Sequence, residues 1–245
     1  MTKKFASICV LSYERPEFLI SSIESLFRTT KWPFELIIVD DGSTDDLVTE
    51  YLAGMYNKKK ISTLILNAGK NMGVGEGVRR GFAIARGDYL VKADQDLIYS
   101  EGWLTEMIKI IETWDDIGMV GGFKYMVDHP KAGWNNTNPI LRIKDNVQCF
   151  IVDDFVSSLF LIKKETYEEC GEFPTFSDGF GEDVTFKDDM LKPKGYKLAL
   201  TCDDVLVNVG FGLGRSSMFM PESVPGKEIL RPISKSPKIF GGKNG

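Results

Sequence analysis

The chain has 245 residues, 43% of them hydrophobic and 27% charged, which excludes a disordered or collagen-like polypeptide and supplies enough apolar side chains for a substantial core. Its 30 Lys and Arg against 35 Asp and Glu give a formal net charge of -5, which argues against a general polyanion binder. The length suits one compact α/β body, since single cores stop growing near about 250 residues.

Through the first half, short runs of Ile, Val and Leu alternate with segments of helical periodicity, the pattern of a mostly parallel sheet built from βα units. Residues 8–11 read as the first strand. Pro16 can open a helix at its first turn, with Leu19, Ile20, Ile23, Leu26 and Phe27 near one face. A second strand, 36–39, runs into Asp40-Asp41-Gly42-Ser43-Thr44-Asp45, where Gly42 punctuates a turn and Ser43 or Thr44 can cap the next helix. Residues 61–66 form a third strand and 75–85 a glycine-spaced helix. A fourth strand, 89–93, delivers Asp94-Gln95-Asp96 at its C-terminal end, and 103–114 is an amphipathic helix. In the second half, 119–122 and 149–152 read as strands, 128–146 as loop-rich and 164–170 as a short helix. A helix at 182–191 follows Gly179-Phe180-Gly181, and 196–200 and 205–209 are late strands.

Cys9, Cys149, Cys170 and Cys202 are scattered and form no Cys-x-x-Cys pair, so a reducing compartment fits better than a disulfide framework. The first apolar run is too short for a signal peptide, and no run approaches the roughly 18 apolar residues of a membrane span. The expected location is cytoplasmic, from which a membrane-linked substrate is reached. Residues 215–245 carry six basic side chains against Glu222 and Glu228, a local balance of +4 that leaves the remaining body at -9. Such a tail reads as a solvated extension able to meet a phosphate-bearing partner or wrap a neighbouring subunit.

Functional groups of open α/β sheets gather outside the carboxyl ends of the strands, where two acidic clusters of this chain fall. Asp94 and Asp96, one residue apart at a strand end, can turn toward one divalent ion such as Mg2+ or Mn2+ and its bound phosphates. Asp40 and Asp41 can accept from a uracil-like base or from ribose hydroxyls, although Asp-Gly-Ser-Thr-Asp is also ordinary turn and cap chemistry. Gly73, Gly75, Gly77 and Gly81 lack the dinucleotide spacing, and no P-loop occurs, so hydride transfer and P-loop chemistry are disfavoured. They permit close backbone approach at a helix start that suits an anion, with Arg79 and Arg80 one turn on. Glu182-Asp183 before a helix is either a charged first turn or a source of a general base. His129, the sole histidine, cannot serve a histidine-rich zinc site, and no nucleophile elbow accompanies it. Trp134, in a loop, is the tryptophan best placed to stack on a sugar or base.

Taken in order, Val10-Leu11-Ser12-Tyr13-Glu14-Arg15-Pro16, Ile38-Val39-Asp40-Asp41-Gly42-Ser43-Thr44-Asp45, Asn71-Met72-Gly73, Gly81 with Ala85-Arg86-Gly87, Asp94-Gln95-Asp96 and Gly181-Glu182-Asp183 resemble the family 2 glycosyltransferases with the GT-A fold, over roughly residues 5–210. The resemblance implies metal-dependent, inverting transfer of one sugar from a nucleotide diphosphate sugar, UDP preferred, to a hydroxyl acceptor such as a glycan or lipid-linked carrier. It implies that Ser12, Glu14 and Arg15 border the nucleotide, that Asp41 contacts the base, Asp94 the ribose side, and Asp96 the metal and diphosphate. Asp183 would be the catalytic base, and Glu182 a sugar or acceptor contact. Two departures stand out: Gly77-Val78-Arg79-Arg80-Gly81 replaces the commoner Ala-Arg-Asn-x-Gly, and Asn208 stands near the position where relatives carry a further, histidine metal ligand.

The expected organisation is a nucleotide-sugar half, 1–122, an acceptor and catalytic-base half, 123–215, within the same compact domain, and a basic tail, 216–245. An alternative acceptor is a hydroxymethylated base in DNA, contacted by the tail and Trp134. Nucleotidyl transfer is disfavoured because Ser12-Tyr13-Glu14-Arg15 replaces the glycine- and arginine-rich loop that it needs after the first strand. A non-catalytic nucleotide-binding protein leaves Asp94, Asp96 and Asp183 together unexplained.

Overall fold

The fold, taken from a computed structural model, is described for residues 4–67, 70–122, 139–176, 181–202 and 206–208. In chain order it runs β1 (Ala6–Ser12), α1 (Pro16–Thr29), β2 (Phe34–Asp40), α2 (Asp46–Asn57), β3 (Thr63–Leu66), α3 (Val74–Ala83), β4 (Tyr89–Asp94), β5 (Leu97–Tyr99) and α4 (Trp103–Thr113). There follow β6 (Ile117–Gly121), β7 (Ile140–Lys144), β8 (Val147–Val152), β9 (Leu159–Lys163), α5 (Lys164–Cys170), α6 (Glu182–Thr185), a π-helical turn (Phe186–Leu191), β10 (Lys197–Thr201) and β11 (Leu206–Asn208).

Among the described residues, nine strands form one sheet in the order β3-β2-β1-β4-β9-β6-β10-β8-β7, and β11 pairs with β5 in a separate ribbon. Seven of the nine strands point one way, and β8 and β9 run against them. Strands buried on both faces need no polar alternation. Ala6, Ile8 and Val10 of β1, with Leu36 and Ile38 of β2, meet Leu19, Ile23 and Leu26 of α1 and the apolar stripe of α4. Cys9, Ile37 and Val39 face the other way, onto Val78 and Phe82 of α3, with Tyr167 of α5 and Phe186 farther along the same layer. The result is a sheet between two helical layers.

Four sequence expectations are corrected. Residues 128–146 are not all loop: β7 lies within them, joined to β8 through Asp145 and Asn146, both at positive φ as a tight hairpin turn requires. Strands β5 and β9 were not anticipated, and β9, from the second half of the chain, inserts between β4 and β6. The helix after the Asp40–Asp45 loop is capped by Asp45, whose carboxylate accepts from Leu47 N at 2.8 Å, rather than by Ser43 or Thr44. The helix expected at 182–191 begins as α6 and widens into the π-helical turn.

Candidate active site

The carboxyl ends of β1, β2 and β4 lie in register, with Ser12 opposite Asp40 and Leu11 opposite Asp94. There they open into a cleft of about 510 Å³ whose lining includes Ser12, Arg15, Asp41, Gly73, Asp94 and Asp96. Glu14 and Arg15 at its rim both adopt left-handed backbone conformations, φ 51° and 59°, a costly state for such residues that persists only where the surroundings enforce it. Ser43 Oγ accepts from Glu14 N at 2.8 Å, and the Glu14 carboxylate accepts from Thr44 N, Thr44 Oγ1 and Asp45 N. The Thr44 donors hold the Glu14 carboxyl below the usual range. Glu14 is thus used to lock the β2–α2 loop, and it is absent from the cleft lining.

Asp41 organises the opposite wall. Its Oδ1 accepts from Asn67 Nδ2 and Met72 N, and its Oδ2 from Gly73 N, all at 2.8 Å. That arrangement carries the chain into the N-terminus of α3 beside the cleft. Ser12 Oγ donates to Asp40 Oδ2 at 3.0 Å, and Gln95 closes the floor by accepting from Tyr13 N and donating to Tyr13 O.

Asp94 and Asp96 stand at the exit of β4. Burial, then the neighbouring Asp94 charge, pushes the Asp96 carboxyl up, despite Arg15, whose guanidinium lies 3.2 Å away. Asp94 Oδ1 accepts from Lys92 Nζ, an ammonium buried in the middle of β4. Two carboxylates at one strand exit, Asp96 beside Arg15 and Asp94 beside Lys92, fit a divalent cation completed by substrate oxygens, the donor set hard cations prefer. Among the described residues no group of three or more His, Cys, Asp and Glu side chains forms a closed metal cage. Asn208 lies opposite Leu97 in the β11–β5 ribbon, so its backbone is beside the residue that follows Asp96.

Asp183 occupies the first turn of α6. Ser157 Oγ donates to its Oδ2 at 2.7 Å, and Lys187 Nζ reaches the same oxygen at 3.3 Å. Burial alone would raise this carboxyl; the Lys187 charge and the Ser157 hydrogen bond outweigh it and hold the group below its ordinary value. Its neighbour Glu182 is buried against α3, where a Cβ on Gly75 would come within 2.9 Å of Glu182 Cγ and 2.5 Å of Pro174 O. Only glycine permits this approach.

The structure therefore gathers Ser12, Arg15, Asp41, Asp94 and Asp96 around one cleft, with Asp183 tied to Asp94 through Ser157 and Lys92. Arg79 is not brought to it: its guanidinium pairs with Glu76 on its own helix and with Glu172. Trp134, His129 and the tail 216–245 lie outside the described residues. Lys92, Ser157 and Lys187 were missed by sequence reasoning. One signal was present for each lysine: Lys92 interrupts an apolar strand, and Lys187 follows Asp183 by four residues on a helical pattern. Ser157 carried none.

Residues 7–171 match the model of the family described as Glycosyl transferase family 2. An uncharacterized glycosyltransferase of Methanocaldococcus jannaschii is 31% identical over 129 residues, 52% of this chain and 44% of that protein. The glycosyltransferase GlyG of Streptococcus pneumoniae is 25% identical over 117 residues, 48% of this chain and 38% of that protein. The chain spans less than half the length of these curated relatives. Among solved structures, a mannosyltransferase of Pyrobaculum calidifontis in complex with GDP-Man and Mn2+ superposes with a TM-score of 0.61 at 17% identity, covering 84% of this chain and 56% of that one. GalNAc-T7 with UDP, GalNAc and Mn2+ superposes at 0.60 with 14% identity, covering 82% and 43%. The fold is that of the GT-A glycosyltransferases.

Proposed function

The chain belongs to glycosyl transferase family 2, and on that premise we propose that it transfers a single sugar, with inversion, from a nucleoside diphosphate sugar to a hydroxyl acceptor. The observation that carries this reading is the tie between an acidic pair in the donor cleft and a second, ionised carboxylate: Asp94 and Asp96 on one side, Asp183 on the other, joined by Ser157 and Lys92. Within this reading, residues 1–122 hold the donor and 123–215 the acceptor and base. UDP is the nucleotide we favour, with a glycan or lipid-linked carrier as acceptor.

Asp94 and Asp96 would hold a divalent cation, Mn2+ or Mg2+, which neutralises the charge developing on the diphosphate leaving group. Ser12 and Asp41 border the nucleoside, and Arg15 adds a guanidinium at the diphosphate end. Asp183 Oδ1 takes the proton from the attacking hydroxyl as the new bond forms at the anomeric carbon. The bond to the diphosphate breaks on the opposite face, and its electron pair leaves with the nucleotide. Direct displacement of this kind inverts the anomeric configuration.

The test is a thermal-shift screen of nucleotide sugars with Mn2+, Mg2+ or EDTA, followed by mass spectrometry of slow donor hydrolysis. Ligand binding to the folded state raises stability with the logarithm of ligand excess. One donor should stabilise the protein and release its nucleoside diphosphate only with metal. No stabilisation by any nucleotide with any metal would overturn the reading.

A further inference from the structure

The segment between β8 and β9 carries contacts that the donor cleft does not explain. Lys187, 1% exposed in the π-helical turn, donates to Asp154 Oδ1, to Phe155 O at 2.8 Å and to Asp183 Oδ2 at 3.3 Å, with its ammonium 5.1 Å from the Phe155 ring centroid. Two residues on, Ser157 faces both sides of the site. Its hydroxyl donates to Asp183 Oδ2 at 2.7 Å, while its carbonyl accepts from Lys92 Nζ at 2.7 Å, the same ammonium that pairs with Asp94. Ser158 O accepts from Asp94 N at 2.9 Å. Two buried lysines thus grip one short segment, one from the acidic pair and one from the candidate base.

A buried ammonium is a poor choice for stability alone, because its desolvation cost commonly cancels the attraction of its partners. A π-helical turn is a rare local geometry that recurs at functional sites. Here the two coincide on the element that follows Asp183. We propose that Ser157 and Lys187 are positioning residues that fix the Asp183 carboxylate, occupying Oδ2 so that Oδ1 is presented to the acceptor hydroxyl, and that Ser157 couples this orientation to the Asp94 side through Lys92. This rests on the reading of Asp183 as the base. Both side-chain donors fall on one oxygen; Val184 N also donates to the carboxylate, and a single such donor still leaves the other oxygen a lone pair for the incoming proton. The charges around Asp183 are the cation Lys187 and, across it, the anion Asp154, with Glu182 adjacent in the chain and the Lys92–Asp94 pair beyond Ser157. Lys187 is the nearest cation, and it keeps a partly buried carboxylate ionised.

The experiment uses the full chain with carbonyl-13C-labelled Asp side chains, following carboxyl titration by NMR. The Asp183 resonance is identified by its loss in Asp183→Asn. Donor hydrolysis is measured in parallel with UDP-glucose and GDP-mannose plus Mn2+. Lys187→Met should move the Asp183 midpoint and the acid limb of the kcat profile to higher pH. Ser157→Ala should lower kcat about tenfold with KM for the donor unchanged, and Ser157→Thr should restore most of it. If Lys187→Met fails to fold, Ser157→Ala against Ser157→Thr still decides, because only the hydroxyl separates them in function. An unmoved Asp183 midpoint in Lys187→Met, or equal kcat loss in Ser157→Ala and Ser157→Thr, overturns the positioning role. Full turnover by Asp183→Asn overturns the base assignment itself, and the NMR arm reports that case separately because it needs no substrate.

Discussion

Asp183 and Asp96 are both carboxylates in partly buried surroundings, yet their environments push them in opposite directions. Asp96 has burial and Asp94 acting against its charge; Asp183 has Lys187 and Ser157 acting for it. Carboxylates whose acidities are driven apart by their surroundings suit different tasks. Asp183→Asn should keep donor-induced thermal stabilisation while lowering transfer on the order of 10²- to 10⁴-fold, the usual worth of a general base. Asp96→Ala should instead abolish the Mn2+-dependent part of donor stabilisation, read by the same thermal shift with and without EDTA. At this scale the resemblance motifs divide in two. Arg86 and Gly87 are structural: Arg86 pairs with the buried Glu35, and a Cβ on Gly87 would lie 2.6 Å from Ser7 N. Asp94 and Asp96 instead line the open cleft.

Elements are held in place by a few close approaches. Helix α3 lies so near β1 that a Cβ on Gly81 would fall 2.1 Å from Cys9 Sγ and 3.3 Å from its Cβ, with burial leaving little room to yield. Gly81→Ala should cost about 1–3 kcal/mol in chemical denaturation, the range for overpacking, and Cys9→Ala in the same chain should return part of it. On the far side of the sheet, Asp116 receives Arg142 of β7 at 2.7 Å and Lys197 of β10 at 2.8 Å, which hold its carboxyl down at about 2. A folded-state pKa below the unfolded value means that this contribution is present above the unfolded value, near 4, and is lost as pH falls toward about 2. Asp116→Asn should therefore flatten the rise in stability between those limits. The loss at neutral pH should stay below about 1 kcal/mol, because the Asp116 side chain is 39% exposed and solvent screens the pair.

Across the whole molecule, stability should follow sheet position. β1, β4 and β9 are central and buried on both faces, whereas β7 is an edge strand with Ile140, Leu141 and Ile143 exposed. Native-state hydrogen exchange should show the slowest amides in β1, β4 and β9 and early exchange in β7. Uniform protection across all nine strands would contradict this ordering. No helix among the described residues is long and apolar enough to cross a membrane, in line with the short apolar runs of the sequence.

By itself, the sequence determined the βα alternation of the first half, the faces of α1 and α4, and the delivery of acidic residues to strand ends. These follow from local chemistry: apolar periodicity, proline at a helix start and glycine at a turn act over a few residues and leave their mark in composition. Only the tertiary structure decided that β9 enters the middle of the sheet, that Arg79 turns to Glu76 and Glu172, and that Glu14 serves the loop after β2. It also decided where the buried cations find their partners. Lys92 meets a carbonyl 65 residues away, and Lys187 meets a carbonyl 32 residues away. A buried charge persists only where a partner is supplied, and that partner comes from whichever distant segment the fold brings alongside, which no local pattern records.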